Sequence, residues 1–165
     1  MADVDDLDAL ARGDPDLVNA DLREANLDAS LMSHRDFSGA KFDRSTLRRA
    51  NLQRSILTGA SLSQTDLTNA NLDGCTLVST GLVHTVFTSA VLANTSFQGS
   101  TFIKSKLIDA DLRGANFTNV RLTEDNDLTG AISDERTLFD GAHILRPMIR
   151  NPVFRYYSVE RGRVV

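Results

Sequence analysis

The residues best suited to catalysis or metal binding are few in this sequence and lie far apart. Its three histidines are His34, His84 and His143, and its single cysteine is Cys75. No histidine has a second histidine or a cysteine at the short spacing that is typical of a metal site. Signals for a nucleotide-binding loop or a catalytic triad are absent as well. The sequence therefore predicts solvent-facing histidines, no metal, no cofactor and no enzymatic activity.

Charged and aromatic residues form two groups that favour binding over catalysis. The first group is basic and comprises Lys41, Arg44, Arg48, Arg49 and Arg54. The second lies in residues 145–165, which hold five arginines, one glutamate and both tyrosines, and it comprises Phe154, Arg155, Tyr156 and Tyr157. Protein interfaces are enriched in tyrosine, phenylalanine and arginine. We expect the second group to contact a protein partner or to join two copies as a homodimer through their C-terminal ends.

Composition limits the class of protein that carries these groups. The chain has 165 residues, which suits one domain, with 41% hydrophobic residues and a net charge of −4. A single cysteine forms no disulfide within the chain, which fits a reducing compartment. The acidic N-terminal stretch lacks the apolar region of a secretory signal, and no window reaches the roughly 18 apolar residues of a membrane span. We expect a soluble, cytoplasmic protein that does not bind membranes.

A repeat of five residues organises most of the chain. At steps of five from Leu17 to Leu122, all 22 residues are leucine, phenylalanine or methionine. Two positions before them, from Ala20 to Val120, 19 of 21 residues are alanine, serine, threonine or cysteine, and Cys75 is one of these. Five residues of α-helix rotate about 500°, and an odd step along a strand reverses the side chain. The chain must therefore turn a corner every five residues, which predicts a coil with large residues on its axis and small residues at its inner corners.

The repeated motifs resemble a known family. Seven of the repeated motifs are similar to the A(D/N)LXX consensus of the pentapeptide-repeat proteins, namely ADLRE, ANLDA, ANLQR, ASLSQ, ANLDG, ADLRG and ANFTN. The resemblance covers residues 17–122. The family occurs in many bacteria and in plants. The resemblance implies an all-β solenoid, a right-handed quadrilateral parallel β-helix with four pentapeptides in each coil. Solenoids commonly serve as interaction modules because their surfaces are extended and rigid.

The open ends of such a coil expose unpaired backbone and need covering. Val4, Leu7 and Leu10 recur at helical spacing before the repeat. After it, Ser133 precedes an acidic turn in a segment that ends at Phe139. The sequence therefore predicts a short capping helix at each end. The expected division is a capping helix at 1–14, the β-helix at 15–132, and a C-terminal cap with a basic aromatic tail at 133–165.

Two places break the five-residue pattern. Arg35 falls at an inner corner, where an unpaired buried guanidinium is costly, so we expect a local bulge that lets it reach solvent. After Leu122 the segment TEDNDL places Asp127 at an axial position, so the repeat fails there.

Charge and aromatic placement decide among the partner classes. Residues 1–16 carry a net charge of −5, residues 17–122 carry +2 and residues 123–165 carry −1. Some family members of the quinolone-resistance type are thought to mimic DNA and bind gyrase, but mimicry needs an acidic rod because DNA carries about one charge per 1.7 Å. Binding of single-stranded nucleic acid uses exposed aromatic rings on which the bases stack. Six of the eight phenylalanines fall on the axis, so the sequence disfavours nucleic acid as a partner.

Three interpretations stay open. We favour a non-enzymatic protein–protein interaction module that presents rigid, flat faces. The alternatives are an anion- or nucleic-acid-binding rod that uses the basic group as a belt, and a DNA mimic that binds a topoisomerase, which the charge disfavours.

Overall fold

The computed structural model describes residues 1–123, 125–144, 157–158 and 163–164. Within residues 16–144 the chain winds into a rod of parallel coils, in which residues mostly twenty positions apart lie side by side. Four columns of β-bridges run along the rod, and each column marks one side. The closed coil that the repeat predicts is therefore confirmed, and it has the four sides that the family resemblance implies.

We number the sides by the residue that begins each column, so sides 1 to 4 begin at Asp16, Asp21, Asn26 and Leu31. Side 1 passes through Asp16, Asp36, Ile56, Thr76, Ser96, Asn116 and Leu138. Side 2 passes through Asp21, Lys41, Ser61, Gly81, Thr101, Arg121 and His143. Side 3 ends at Asp127 and side 4 ends at Ile132.

Most contacts between coils are single bridges, and the coil strands that are longer lie on side 2. They are β1 (Gly81–Val83), β2 (Thr101–Ile103), β3 (Arg121–Leu122) and β4 (His143–Ile144), which form one parallel sheet in that order. Further along the chain, β5 (Tyr157–Ser158) pairs with β6 (Arg163–Val164) in an antiparallel arrangement.

Left-handed backbone turns make the corners, and they recur every five residues along the coil. Many of these positions are not glycine, and Glu24, Arg44 and Arg49 have φ angles of 61°, 61° and 59°. Such a conformation costs a side chain about 1 kcal/mol. The corner N–H of Arg44 donates to the carbonyl of Ser63 in the next coil at 2.9 Å. Repeated bonds of this kind hold the strained turns in place.

The axis of the rod is filled by the large residues of the repeat. Every member of the series from Leu17 to Leu122 is at most 5% exposed. Serine and threonine hydroxyls at the inner corners donate to carbonyls of the preceding coil, as Thr95 does to Leu72 at 2.7 Å. Burial of each large side chain contributes about 1.5–3 kcal/mol, so the axis is the main source of stability.

A helix precedes the coil, as the sequence predicts. Helix α1 spans Val4–Arg12, begins after the N-cap Asp3 and ends at Gly13, whose φ is 84°. The N–H of Asp3 donates to the carbonyl of Asp21 at 2.8 Å, and the carboxylate of Asp6 accepts a hydrogen bond from the N–H of Asp21 at 2.7 Å. These bonds satisfy the edge of the first coil on side 2.

The helix predicted over residues 133–139 is wrong, because the coil continues through this segment. Leu138 forms a bridge with Asn116 on side 1. Phe139 is fully buried and stacks on Phe117. Burial of an aromatic ring on the axis outweighs the local helix-start signal at Ser133.

The strict five-residue pattern fails after Leu122, as the sequence predicts, but the coil continues through this segment. One additional residue after Leu122 shifts the register, so that Leu128 is buried and Asp127 forms an outward bridge with Lys106 on side 3. A carboxylate on the apolar axis would lose its hydration, which is costly. The one-residue shift avoids that loss and lets the coil continue.

The side chain of Asn126 stabilises this shifted turn. It is buried, and its Nδ2 donates to the carbonyl of Phe102 at 2.9 Å. Its Oδ1 accepts a hydrogen bond from the N–H of Ser105 at 2.7 Å. The amide therefore joins the inserted turn to the preceding coil, as the hydroxyl of Ser105 does at the equivalent inner corner by donating to the carbonyl of Leu82.

The bulge expected at Arg35 is wrong as well. The bridge between Asp36 and Ile56 keeps the regular step of twenty residues. The Arg35 side chain extends toward the N-terminal end of the rod, where Nη1 donates to the carbonyl of Leu10 at 3.0 Å and Nη2 to that of Leu31 at 3.1 Å. Because Arg35 lies close to this end, its side chain leaves the core in the direction of the rod axis and does not distort the side of the coil.

Candidate functional site

The histidines do not form a reactive centre. His34, His84 and His143 are all exposed, so the prediction that they face solvent is confirmed. In the part of the chain that the structure describes, no three His, Cys, Asp or Glu residues are grouped so that they could hold a metal ion.

Cys75 lies in the core of the rod. It is 1% exposed, and its Sγ donates to the carbonyl of Leu52 at 2.8 Å. Burial raises the pKa of the thiol to about 12. The thiol is therefore protonated at neutral pH, and it makes the contact that serine and threonine hydroxyls make at other inner corners.

The five basic residues predicted as a belt all lie in the second coil, and all are exposed. Lys41 lies on side 2, while Arg44, Arg49 and Arg54 occupy three successive corners. Arg48 lies between two of these corners, on side 3. The structure thus arranges them around the rod and does not bring them together as one flat patch.

Carboxylates pair with part of this belt. Arg48 Nε donates to Asp66 at 2.7 Å, and Arg44 Nη1 lies 3.6 Å from a carboxylate oxygen of Glu24. Exposed pairs of this kind contribute little stability, about 0.2–1 kcal/mol, but they reduce the positive field. Among the described residues, no ion pair involves Lys41, Arg49 or Arg54.

The C-terminal group falls mostly outside the described residues. Tyr157 lies in β5 and its backbone pairs with Val164 of β6. Phe154, Arg155 and Tyr156 lie outside the described residues. The partner-binding role of this group stays a prediction.

A surface without charge runs along side 1, although 24% of the residues in the chain are charged. We call this surface the neutral face and define it as the side chains that point outward from side 1 between Ile56 and Leu138. They are Ile56, Thr58, Thr76, Val78, Ser96, Gln98, Asn116, Thr118 and Leu138. At about 4.8 Å per coil, the neutral face is about 20 Å long.

Sequence reasoning missed the neutral face, although part of its signal is visible in the sequence. Residues 74–103 contain no aspartate, glutamate, lysine or arginine. Because a coil takes twenty residues, this run encircles the rod about one and a half times. The basic belt is a cluster of charged residues, whereas the neutral face is marked in the sequence by a stretch without charge.

The rod of four-sided coils defines a β-solenoid built from pentapeptides. The family described as "Pentapeptide repeat region" matches residues 50–126, and "Pentapeptide repeats (8 copies)" matches residues 16–54. The chain belongs to the pentapeptide-repeat proteins. Proteins of this family form right-handed β-helices and are generally structural or interaction modules rather than enzymes.

Solved structures of the same family resemble this chain. QnrB1, a plasmid-mediated fluoroquinolone resistance protein, is 19% identical in a trypsin-treated form, with 77% of this chain and 71% of that chain covered and a TM-score of 0.53. HetL from Nostoc sp. strain PCC 7120, involved in heterocyst differentiation regulation, is 24% identical over 78% and 69%, with a TM-score of 0.38. The Nostoc protein alr5209 is 24% identical over 87% and 96%, with a TM-score of 0.41. At these identities the likeness shows the fold alone. No curated protein matches the chain.

Proposed function

We propose that the protein is a non-enzymatic interaction module that binds another folded protein through the neutral face. The observation that carries the proposal is the absence of charge along side 1 from Ile56 to Leu138, in a chain that is 24% charged. Charged residues are depleted at the cores of protein interfaces and common on other surfaces. Interaction modules are also usual in this family.

The neutral face is well prepared for binding. Its bridged positions Thr76, Ser96 and Asn116 lie in one ladder of parallel β-bridges, which restrains their backbone. Isoleucine, valine and threonine are stiff at χ1. A partner that docks there therefore orders few side chains, which keeps the side-chain part of the entropy cost of association small.

The same structure supports a role without catalysis. The axis is occupied by buried side chains, and the only thiol is buried and protonated at neutral pH. Within the described residues no helix is long and apolar enough to span a membrane. The cytoplasmic location and the homodimer through the C-terminal end stay predictions of the sequence.

A crosslinking experiment tests the neutral face. A photoreactive amino acid is placed at Thr76 on side 1 and, as a matched control, at Thr101, which has the same repeat position on side 2. In cells of the source organism we expect a discrete crosslinked protein from position 76 only. An accompanying Ser96→Arg substitution should remove that product. Equal products from both positions would contradict the proposal.

The basic belt supports a second candidate function, an anion-binding rod. Lys41, Arg49 and Arg54 have no ion-pair partner among the described residues. A salt titration of binding to duplex DNA distinguishes the candidates, because each phosphate contact steepens the loss of affinity with salt. Under the favoured proposal we expect no measurable binding at physiological salt. Tight binding that Arg49→Ala and Arg54→Ala weaken would favour the belt.

The DNA-mimic alternative is disfavoured by charge. The repeat segment 17–122 carries a net charge of +2, whereas a mimic of DNA needs an acidic rod. The likeness to QnrB1 concerns the fold. We expect no inhibition of supercoiling by purified gyrase in the presence of a modest excess of the protein, and clear inhibition at physiological salt would overturn this expectation.

A further inference from the structure

Helix α1 leaves a groove at the N-terminal end of the rod. The groove has a volume of about 340 Å³ and lies between α1 and the first coil. Its apolar lining comes from Leu7 and Leu10 of α1 and from Leu27, Leu31 and Met32 of the coil. Small ligand sites have volumes of about 300–1,000 Å³, so the groove is large enough to bind a few side chains.

A large apolar side chain of the groove lining is exposed. Leu31 is 76% exposed. In the described coils further along the rod, the most exposed large apolar residue is Ile132, at 49%. Exposed apolar groups that adjoin a groove are typical of a binding site.

Unpaired backbone borders the same groove. On side 2 the bonds from Asp3 and Asp6 satisfy the edge of the first coil. On sides 3 and 4, the N–H groups of Asn26 and Leu31 have no hydrogen-bond partner within the described residues. An open β-edge of this kind accepts an extended chain as an added strand.

The groove also contains a guanidinium without an acidic partner. Arg35 lines it, is partly buried, and donates to the carbonyls of Leu10 and Leu31. No carboxylate among the described residues forms an ion pair with Arg35. A guanidinium carries five N–H donors, so two carbonyls leave donors available for an anionic ligand.

We propose that this groove binds the carboxyl-terminal end of an extended peptide whose last residues are small and apolar. The apolar side chains fill the space beside Leu31, the peptide backbone pairs with the edge at Asn26, and the terminal carboxylate meets Arg35. A fatty acid satisfies the apolar lining and the guanidinium but leaves the edge unpaired, which favours a peptide. The site is separate from the neutral face and does not depend on it.

Charge on α1 adds a requirement for the rest of the peptide. Asp5, Asp6 and Asp8 make the helix acidic, and they disfavour a ligand that is negative throughout. Basic residues before the apolar end offset this repulsion. The test peptide is therefore Lys-Gly-Lys-Val-Val, with a free carboxylate and a fluorescent label on its N-terminal amine, which leaves both lysines charged.

Fluorescence anisotropy with the full chain tests the proposal. We expect the free-acid peptide to bind with a Kd below about 1 mM, and the same peptide with a C-terminal carboxamide to bind at least tenfold more weakly. Leu31→Asp should weaken binding at least tenfold. Ile132→Asp is its matched control, because Ile132 lies in the same column of side 4 at the other end of the rod, and it should leave binding unchanged.

Substitution of Arg35 tests the role of the guanidinium. Arg35→Gln should abolish the difference between the acid and the amide, with folding checked by circular dichroism; if that variant does not fold, Leu31→Asp and the amide peptide carry the test. Absence of binding at 1 mM peptide, equal affinity for acid and amide, or equal competition by octanoate would each overturn the proposal.

Discussion

Phe117 and Phe139 stack with nearly parallel rings, with ring centroids 5.1 Å apart and ring planes inclined by 10°. Phe139 follows Phe117 by 22 positions, whereas neighbours in the regular coils are 20 positions apart. The aromatic stack therefore continues across two additional residues. Packing on the axis, rather than strict spacing in the sequence, keeps the last coil in register.

Phe139→Ala should lower the free energy of unfolding by about 3 kcal/mol, because it removes a fully buried ring from the axis. Asp140→Ala, at the next and exposed position, should change it by less than about 0.5 kcal/mol. Urea denaturation followed by circular dichroism measures both. Similar small effects would show that the last coil contributes little to the core.

Asn126→Ala should lower the free energy of unfolding by about 2 kcal/mol, because it leaves the buried N–H of Ser105 and the carbonyl of Phe102 without this partner. Asp125→Ala changes an exposed residue of the same turn and should have an effect below about 0.5 kcal/mol. The same denaturation measurement applies. An Asn126→Ala protein as stable as the original would mean that the inserted turn does not need the amide.

Cys75 should make stability fall in alkaline solution. Its folded pKa is about 12, above the usual value of about 9, so the unfolded chain loses the thiol proton first. The associated stabilisation is complete below pH 9 and is lost as the pH rises from 9 to 12. Thermal melts across this range should show a smaller loss for Cys75→Ser, which keeps a donor for the carbonyl of Leu52. Identical pH profiles would contradict the assignment.

The same burial should protect Cys75 from thiol reagents. In the folded protein at pH 8 we expect no reaction with a disulfide reagent on the timescale of minutes, because the thiol is buried and protonated. Reaction should be complete once the protein is unfolded in denaturant, which serves as the control. Rapid modification of the folded protein would indicate an accessible thiolate.

Gly39 and Gly59 offer a matched pair at equivalent corners, with φ angles of 69° and 68°. The Oδ1 atom of Asn19 occupies the space that a Cβ atom on Gly39 would take, whereas nothing lies within 4 Å of that position at Gly59. Both alanine substitutions meet the cost of a left-handed φ, but Gly39→Ala should be worse by about 0.5–1 kcal/mol. In denaturant melts, combination with Asn19→Ala should remove the difference. A difference that persists would place its origin elsewhere.

The sequence by itself determined the coil and its filling. A large residue at every fifth position and a small residue two places before it are incompatible with a helix or a straight strand. The register of Leu17–Leu122 and the structural position of Cys75 follow from that pattern. The helix α1 was also predictable, since its start at Asp3 and its end at Gly13 are local signals.

Only the tertiary structure decided where the chain departs from the five-residue pattern because side-chain packing on the axis favours another position. The stack of Phe139 on Phe117, the outward bridge of Asp127 and the path of Arg35 depend on contacts between residues about twenty or more positions apart. Local signals near Ser133 favour a helix, but they do not include the free energy of burying an aromatic ring on the axis.

The two proposed sites depend on the winding of the chain in the same way. Thr76, Ser96 and Asn116 become neighbours on one side because a coil takes twenty residues, while Asp111 and Arg121, only five positions from Asn116, face other sides. The N-terminal groove likewise exists because α1 covers the coil edge at Asp21 and leaves it open at Asn26. The sequence specifies each side chain, but which side chains share a surface is decided by where each coil lies on the one before it.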